Sequence, residues 1–98
     1  VTQPRFDELI HPSTRLRLMA MLAAVDWAEF AYLKEEAGLS DSALSKQLAT
    51  LEEAGYVATD RHLDGGRHKV RARLTDRGRK AFLGHVAALQ QIVAHGRQ

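Results

Sequence analysis

The sequence predicts a mainly α-helical domain with one small β-hairpin, an α+β class. Three observations lead there. Between residues 30 and 54, two apolar-periodic segments are separated only by Gly38, Leu39 and Ser40, and two helices joined by so short a glycine-containing turn form a helix-turn-helix. After Gly55 the period drops to two, and residues 56–62 and 68–74 flank the sequence LDGGR, whose Asp-Gly and Gly-Gly pairs supply the positive φ of a tight hairpin. From Asp76 onward, Phe82, Val86, Leu89 and Val93 recur at i, i+4, i+7 and i+11 with Ile92 beside them, so a final helix over residues 76–95 carries an apolar stripe.

Composition narrows the function. A chain of 98 residues is expected to form one domain, residues 1–98, with a small core that a dimer interface would extend. The absence of cysteine excludes disulfides and thiolate metal sites. The five histidines, at positions 11, 62, 68, 85 and 95, include no close ligand pair, so no metal or other cofactor is expected. The longest apolar stretch, residues 18–25, is too short to span a bilayer, and no cleavable signal pattern opens the chain. A soluble cytoplasmic protein without membrane association is expected. No nucleophile elbow, phosphate loop or paired carboxylates point to an enzyme.

Charge is more informative. The formal net charge is only +2, yet residues 61–80 hold eight Lys or Arg against two acids. The remaining residues hold six basic and ten acidic side chains. A basic block on an otherwise acidic chain is the footprint of a phosphate-binding surface; it also fits a solvated basic strand.

In chain order, Phe6, Leu9 and Ile10 suggest a short helix within residues 1–10. Pro12 suits the first turn of a second helix, with Leu16, Met19, Leu22, Ala20 and Ala23 on its buried face. Arg15 and Arg17 lie off it; either could reach a phosphate, but solvated side chains are expected. The segment DWAEF (26–30) breaks the pattern; Trp27 and Phe30 read as core or interface aromatics, and a very short strand fits. A two-turn helix over 30–37 buries Phe30, Leu33 and Ala37, and Gly38 closes it.

The next helix, over residues 41–54, has Ser40 as N-cap, Asp41 in its first turn and Gly55 as a left-handed cap. Leu44, Leu48 and Leu51 share its buried face. At about 100° per residue, Ser42, Lys46, Ala49 and Glu53 point outward, flanked by Ala43, Ser45 and Thr50. This arc is mostly small and polar, so it can lie close against another surface; the DNA major groove admits such a helix. An ordinary solvated helix face has the same pattern.

In the hairpin, residues 56–74, Val70, Ala72 and Leu74 alternate with Lys69, Arg71 and Arg73, giving one packed face and one cationic ladder. Arg67, Lys69, Arg71 and Arg73 are expected to supply phosphate contacts. Thr75 caps the final helix. Its stripe of Phe82, Val86, Leu89 and Val93 is longer than this core requires. A helix folded back on its own domain would use such a face, but a partner helix from a second copy is preferred, assisted by Phe6 and Leu9.

The order helix, short strand, helix, helix, hairpin, helix is that of a winged helix-turn-helix. LSDSALSKQLATLEEAGYV, a Gly-rich turn ending in Arg67, and LTDRGRKAF resemble the winged-helix transcriptional regulators near the MarR-like and ArsR-like families, over most of the chain. The resemblance implies a homodimeric regulator that binds double-stranded DNA. It implies that Ser40, Ser42, Ala43, Ser45, Lys46 and Thr50 face the major groove, and that Arg67 reaches the minor groove or backbone from the wing. The chain lacks the cysteines of the ArsR-like metal sensors and is shorter than the MarR-like proteins. The alternative is a winged helix used as a protein-interaction or architectural module.

Overall fold

A computed structural model describes residues 2–96; residues 1, 97 and 98 lie outside it. Its elements are α1 (Ser13–Ala23), β1 (Ala28–Glu29), α2 (Phe30–Ala37), α3 (Asp41–Glu53), β2 (Val57–Asp64), β3 (Arg67–Leu74) and α4 (Asp76–His95). Local chemistry sets their ends. α2 stops at Gly38, left-handed at φ 66°, with the Leu39 N–H donating back to the Lys34 carbonyl. α3 starts where the Ser40 hydroxyl accepts the Ala43 N–H at 3.1 Å. It ends in a Schellman turn: Gly55, at φ 80°, donates to Glu52 and Tyr56 donates to Leu51. An exposed ion pair, Lys34 to Asp41 at 2.8 Å, spans the turn between the two helices.

The three strands form an antiparallel sheet in the order β1-β3-β2. The hairpin register runs from Val57↔Leu74 to Asp64↔Arg67. Only Gly65 and Gly66 form the turn, at φ 60° and 81°, the two positive values that a type I′ turn requires. The loop is therefore shorter than the five-residue LDGGR reading. Two consecutive glycines meet the whole stereochemical demand, so Leu63, Asp64 and Arg67 stay in the ladder.

Ile10, Leu18, Met19, Leu22, Leu33, Leu44, Leu48 and Leu51 join Val57, Ala72 and Leu74 in one core. The face expected for α1 is corrected: Leu18 is fully buried, Leu16 only partly, and Ala20 is exposed. α1 touches α2, α3, β3 and α4, so its covered surface is wider than one stripe. Arg15 is not a solvated side chain either. Its guanidinium donates to the Leu9 carbonyl at 2.6 Å and to Gln47 Oε1 at 2.9 Å, strutting α1 against α3.

Among the described residues no helix forms before Ser13; residues 8–10 make a single turn. The reason is where the backbone donors go. Arg5 N–H donates to the Gly84 carbonyl and Asp7 N–H to His85 Nδ1, both on α4, while Asp7 Oδ1 accepts from Leu9 and Ile10. Residues 2–7 thus lie as an arm along α4. That contact buries Gly84, His85 and Ala88. The stripe of Phe82, Val86, Leu89 and Val93 lies about a third of a turn away. Phe82, Val86 and Leu89 are half-buried, whereas Ile92 and Val93 are 56% and 59% exposed. Leu9 and Phe82, both expected at a dimer seam, pack against the domain's own core; Phe6 remains partly exposed beside the rings of His11 and His85.

Candidate nucleic-acid interface

α3 is held at its C-terminal end by a tight joint with α4. Thr75 N–H donates to the Tyr56 carbonyl, and the Thr75 hydroxyl donates to the Gly55 carbonyl while accepting from Gly78 N–H. A Cβ at Gly78 would sit 2.0 Å from the Tyr56 oxygen. The segments LEEAGY and LTDRG are therefore the two halves of one contact, which is why both are needed to place α3.

With α3 so held, its outer face presents Ser42, Ser45, Lys46 and Ala49, all exposed. The other expected contact residues on this helix are placed differently. The Ser40 hydroxyl is engaged in the cap and lies 3.4 Å from that of Ser42. Thr50 donates its hydroxyl back to the Lys46 carbonyl, and Ala43 is partly buried. Ser42, Ser45 and Lys46 thus form the freest polar cluster of the set.

The cationic ladder of the wing is largely paired within the sheet. Lys69 donates to Asp64 at 2.9 Å. That hydrogen bond, with the attendant charge attraction, raises the Lys69 pKa and lowers that of Asp64. Arg71 holds Asp60, its cross-strand partner, and lies 4.0 Å above the Trp27 ring. Arg73 lies 5.4 Å from the same ring. Trp27 is thus a platform on the outer sheet face rather than a core residue. His62 Nε2 lies 3.2 Å from Glu29. Arg67 is exposed next to the turn and makes no ion pair among the described residues.

Arg61 shares this freedom, and the sequence reading passed over it. It is exposed, lies opposite Val70, and has no ion-pair partner among the described residues. Two residues earlier, Thr59 donates to Glu52 of α3 at 3.0 Å; strand alternation therefore puts Arg61 on the side of the hairpin facing α3. The alternation of β2 was the signal that could have found it.

A family model described as a winged helix DNA-binding domain matches residues 14–93. The chain belongs to the winged helix DNA-binding domain family. The family is one of DNA-binding domains rather than of enzymes. An uncharacterised protein of Methanocaldococcus jannaschii is 33% identical to this winged helix over 85 residues, covering 87% of the chain and 92% of that relative. Among solved structures, a transcriptional regulator homologue from Pyrococcus horikoshii OT3 superposes with a TM-score of 0.84 at 20% identity, over 91% of this chain and 88% of that one. ZitR of Lactococcus lactis, a zinc-responsive MarR family member, superposes with a TM-score of 0.64 at 24% identity over 87% of this chain and 58% of its own length. These likenesses extend the shared fold. Among the described residues, no group of three or more His, Asp or Glu is placed to hold a metal ion, and no helix is long and apolar enough to cross a membrane.

Proposed function

We propose that this winged helix is a homodimeric transcriptional regulator that reads a specific double-stranded DNA sequence. α3 enters the major groove, where Ser42, Ser45 and Lys46 contact base edges and Ala49 allows close approach. Arg67 and Arg61 of the wing contact the adjacent backbone or minor groove, while Ser40 and Thr50 chiefly hold the shape of the reader. Lys69 and Arg71 keep the wing rigid through Asp64 and Asp60. The observation that carries this reading is the outer face of α3: small and polar, tied within the fold only by the Ser40–Ser42 hydroxyl contact among the described residues, and flanked by a wing with two arginines that make no ion pair there. Dimerisation proceeds through α4, whose stripe of Phe82, Val86, Leu89 and Val93 ends in two exposed turns, with Phe6 beside it. With chromosomal DNA as the partner, the protein acts in the cytoplasm.

Selection of bound sites from random duplexes tests this directly. The expected result is an enriched palindrome with half-site centres about 34–36 Å apart. Binding without enrichment would leave a non-specific or architectural module, and enrichment of a single half-site would remove the dimer.

A further inference from the structure

The joint at Thr75, Gly78 and Tyr56 is a pivot, because it holds α4 only by its first turn. α4 is twenty residues long and runs on beyond this turn to His95. Val93 lies fifteen residues past Gly78, which at 1.5 Å per residue is about 22 Å. A swing of about 10° at the pivot would move Val93 by about 4 Å, more than the rise of one base pair, about 3.4 Å. Something must stop that swing if two α3 helices are to keep one spacing. Arg79, which donates to the Ala23 carbonyl, sits one residue from Gly78 and has almost no lever arm. Among the described residues, the polar ties further along α4 are both to the arm: Arg5 N–H to the Gly84 carbonyl and Asp7 N–H to His85 Nδ1.

Asp7 joins that tie to the reader. Its Oδ2 accepts the Tyr56 hydroxyl at 2.5 Å, and Tyr56 is the residue that closes α3. Its Oδ1 fixes the turn leading to the buried Ile10 by accepting from Leu9 and Ile10. Asp7 and Tyr56 both line an open groove of about 1120 Å³ between the arm and α4. The hydroxyl–carboxylate contact therefore ties the arm to the end of α3 across this groove. We propose that Asp7 is a positioning residue: by binding Tyr56 and His85 at once it braces α4 against α3 and sets the spacing of the two reader helices in the dimer. The inference rests on the homodimeric reading above.

The test uses the full chain and duplexes carrying two copies of the selected half-site, with the spacer varied one base pair at a time. Wild-type protein is expected to prefer one spacing over its neighbours by about tenfold, the worth of one good base contact. Tyr56→Phe removes only the hydroxyl and should flatten that preference while affinity for an isolated half-site stays unchanged. Asp7→Ala should do the same. Asp7→Asn can still accept from the turn amides and present its own amide to the Tyr56 oxygen, so it should restore most of the preference. A Tyr56→Phe protein that keeps the wild-type preference, or that loses half-site and paired-site affinity in equal proportion, overturns the positioning role. A wild-type protein with no preferred spacing overturns the dimeric reading itself, and the brace with it.

Discussion

Two glycines on the buried side of α4 differ in what a methyl group would meet. At Gly78 it would strike the Tyr56 carbonyl at 2.0 Å, a backbone oxygen fixed by its bond from Thr75. At Gly84 it would approach the Gln3 carbonyl of the arm at 3.2 Å. Gly78→Ala is therefore expected to cost about 3 kcal/mol through overpacking. Gly84→Ala should remain within about 1 kcal/mol of neutral, because helix propensity offsets a small shift of the arm. Urea midpoints of the two variants check the difference, and equal losses would deny the joint its rigidity. His85, also on α4, is fully buried, with Nδ1 accepting from Asp7 N–H and Nε2 lacking a partner among the described residues. Burial lowers its pKa and nearby His11 lowers it further; Asp7 and Glu8 pull the other way. A lowered folded pKa means that the unfolded chain takes up the proton first as pH falls. The stability contributed by neutral His85 is thus fully present above about pH 6.5, the unfolded value, and lost on descending toward the folded pKa. Denaturation midpoints between neutral and mildly acidic pH should show this decline, and His85→Asn, which keeps an acceptor near Nδ1 without titrating, should flatten it.

Among the elements, the wing shows how register decides function. The basic block visible in the sequence is real, but Lys69 and Arg71 already hold acids from β2. Each phosphate contact steepens the slope of log K against log salt by about 0.9. Arg67→Ala and Arg61→Ala are each expected to reduce the slope by about that amount, and Lys69→Ala to leave it nearly unchanged. Titrations of one duplex at several ionic strengths measure this; a large loss for Lys69→Ala would mean that its ion pair opens on DNA. The acid partners escaped the sequence because the turn was read as five residues, which left Asp64 outside the strands and the cross-strand pair Asp60↔Arg71 unseen. By contrast α2, α3 and α4 were legible to within a residue, since Gly38, Ser40, Gly55 and Thr75 are caps that act locally. The short strand at Ala28–Glu29 was legible as a break in periodicity. The arm was not, because its amides bond to Gly84 and His85, nearly eighty positions away, and no local pattern records so distant an acceptor. For the same reason the role of Arg15, bonded across to Gln47, could not be read from its place on a helix.

At the scale of the whole molecule, the described residues measure 57 × 26 × 21 Å, and this elongation matters for assembly. Residues 91–95 of α4 are all exposed, Ile92 and Val93 among them. One domain alone leaves this apolar end in water, whereas a second α4 laid against it would bury the stripe from Phe82 to Val93 in continuity. Val93 is the sharper probe of that seam. Leu89 is half-buried within its own domain, so a charge there would disturb the fold as well as the contact. At position 93 an aspartate would remain hydrated in the monomer and be stripped of water only in the dimer, where an unpaired carboxylate is strongly disfavoured. Val93→Asp is therefore expected to leave the urea midpoint of dilute protein unchanged and to shift sedimentation at micromolar concentration from dimer to monomer. It should also lower affinity for the paired site toward that of a single half-site, with non-specific binding preserved because the wing and α3 are untouched. A wild-type protein that sediments as a monomer while still binding the palindrome tightly, or a Val93→Asp protein that stays dimeric, would place the interface elsewhere than α4.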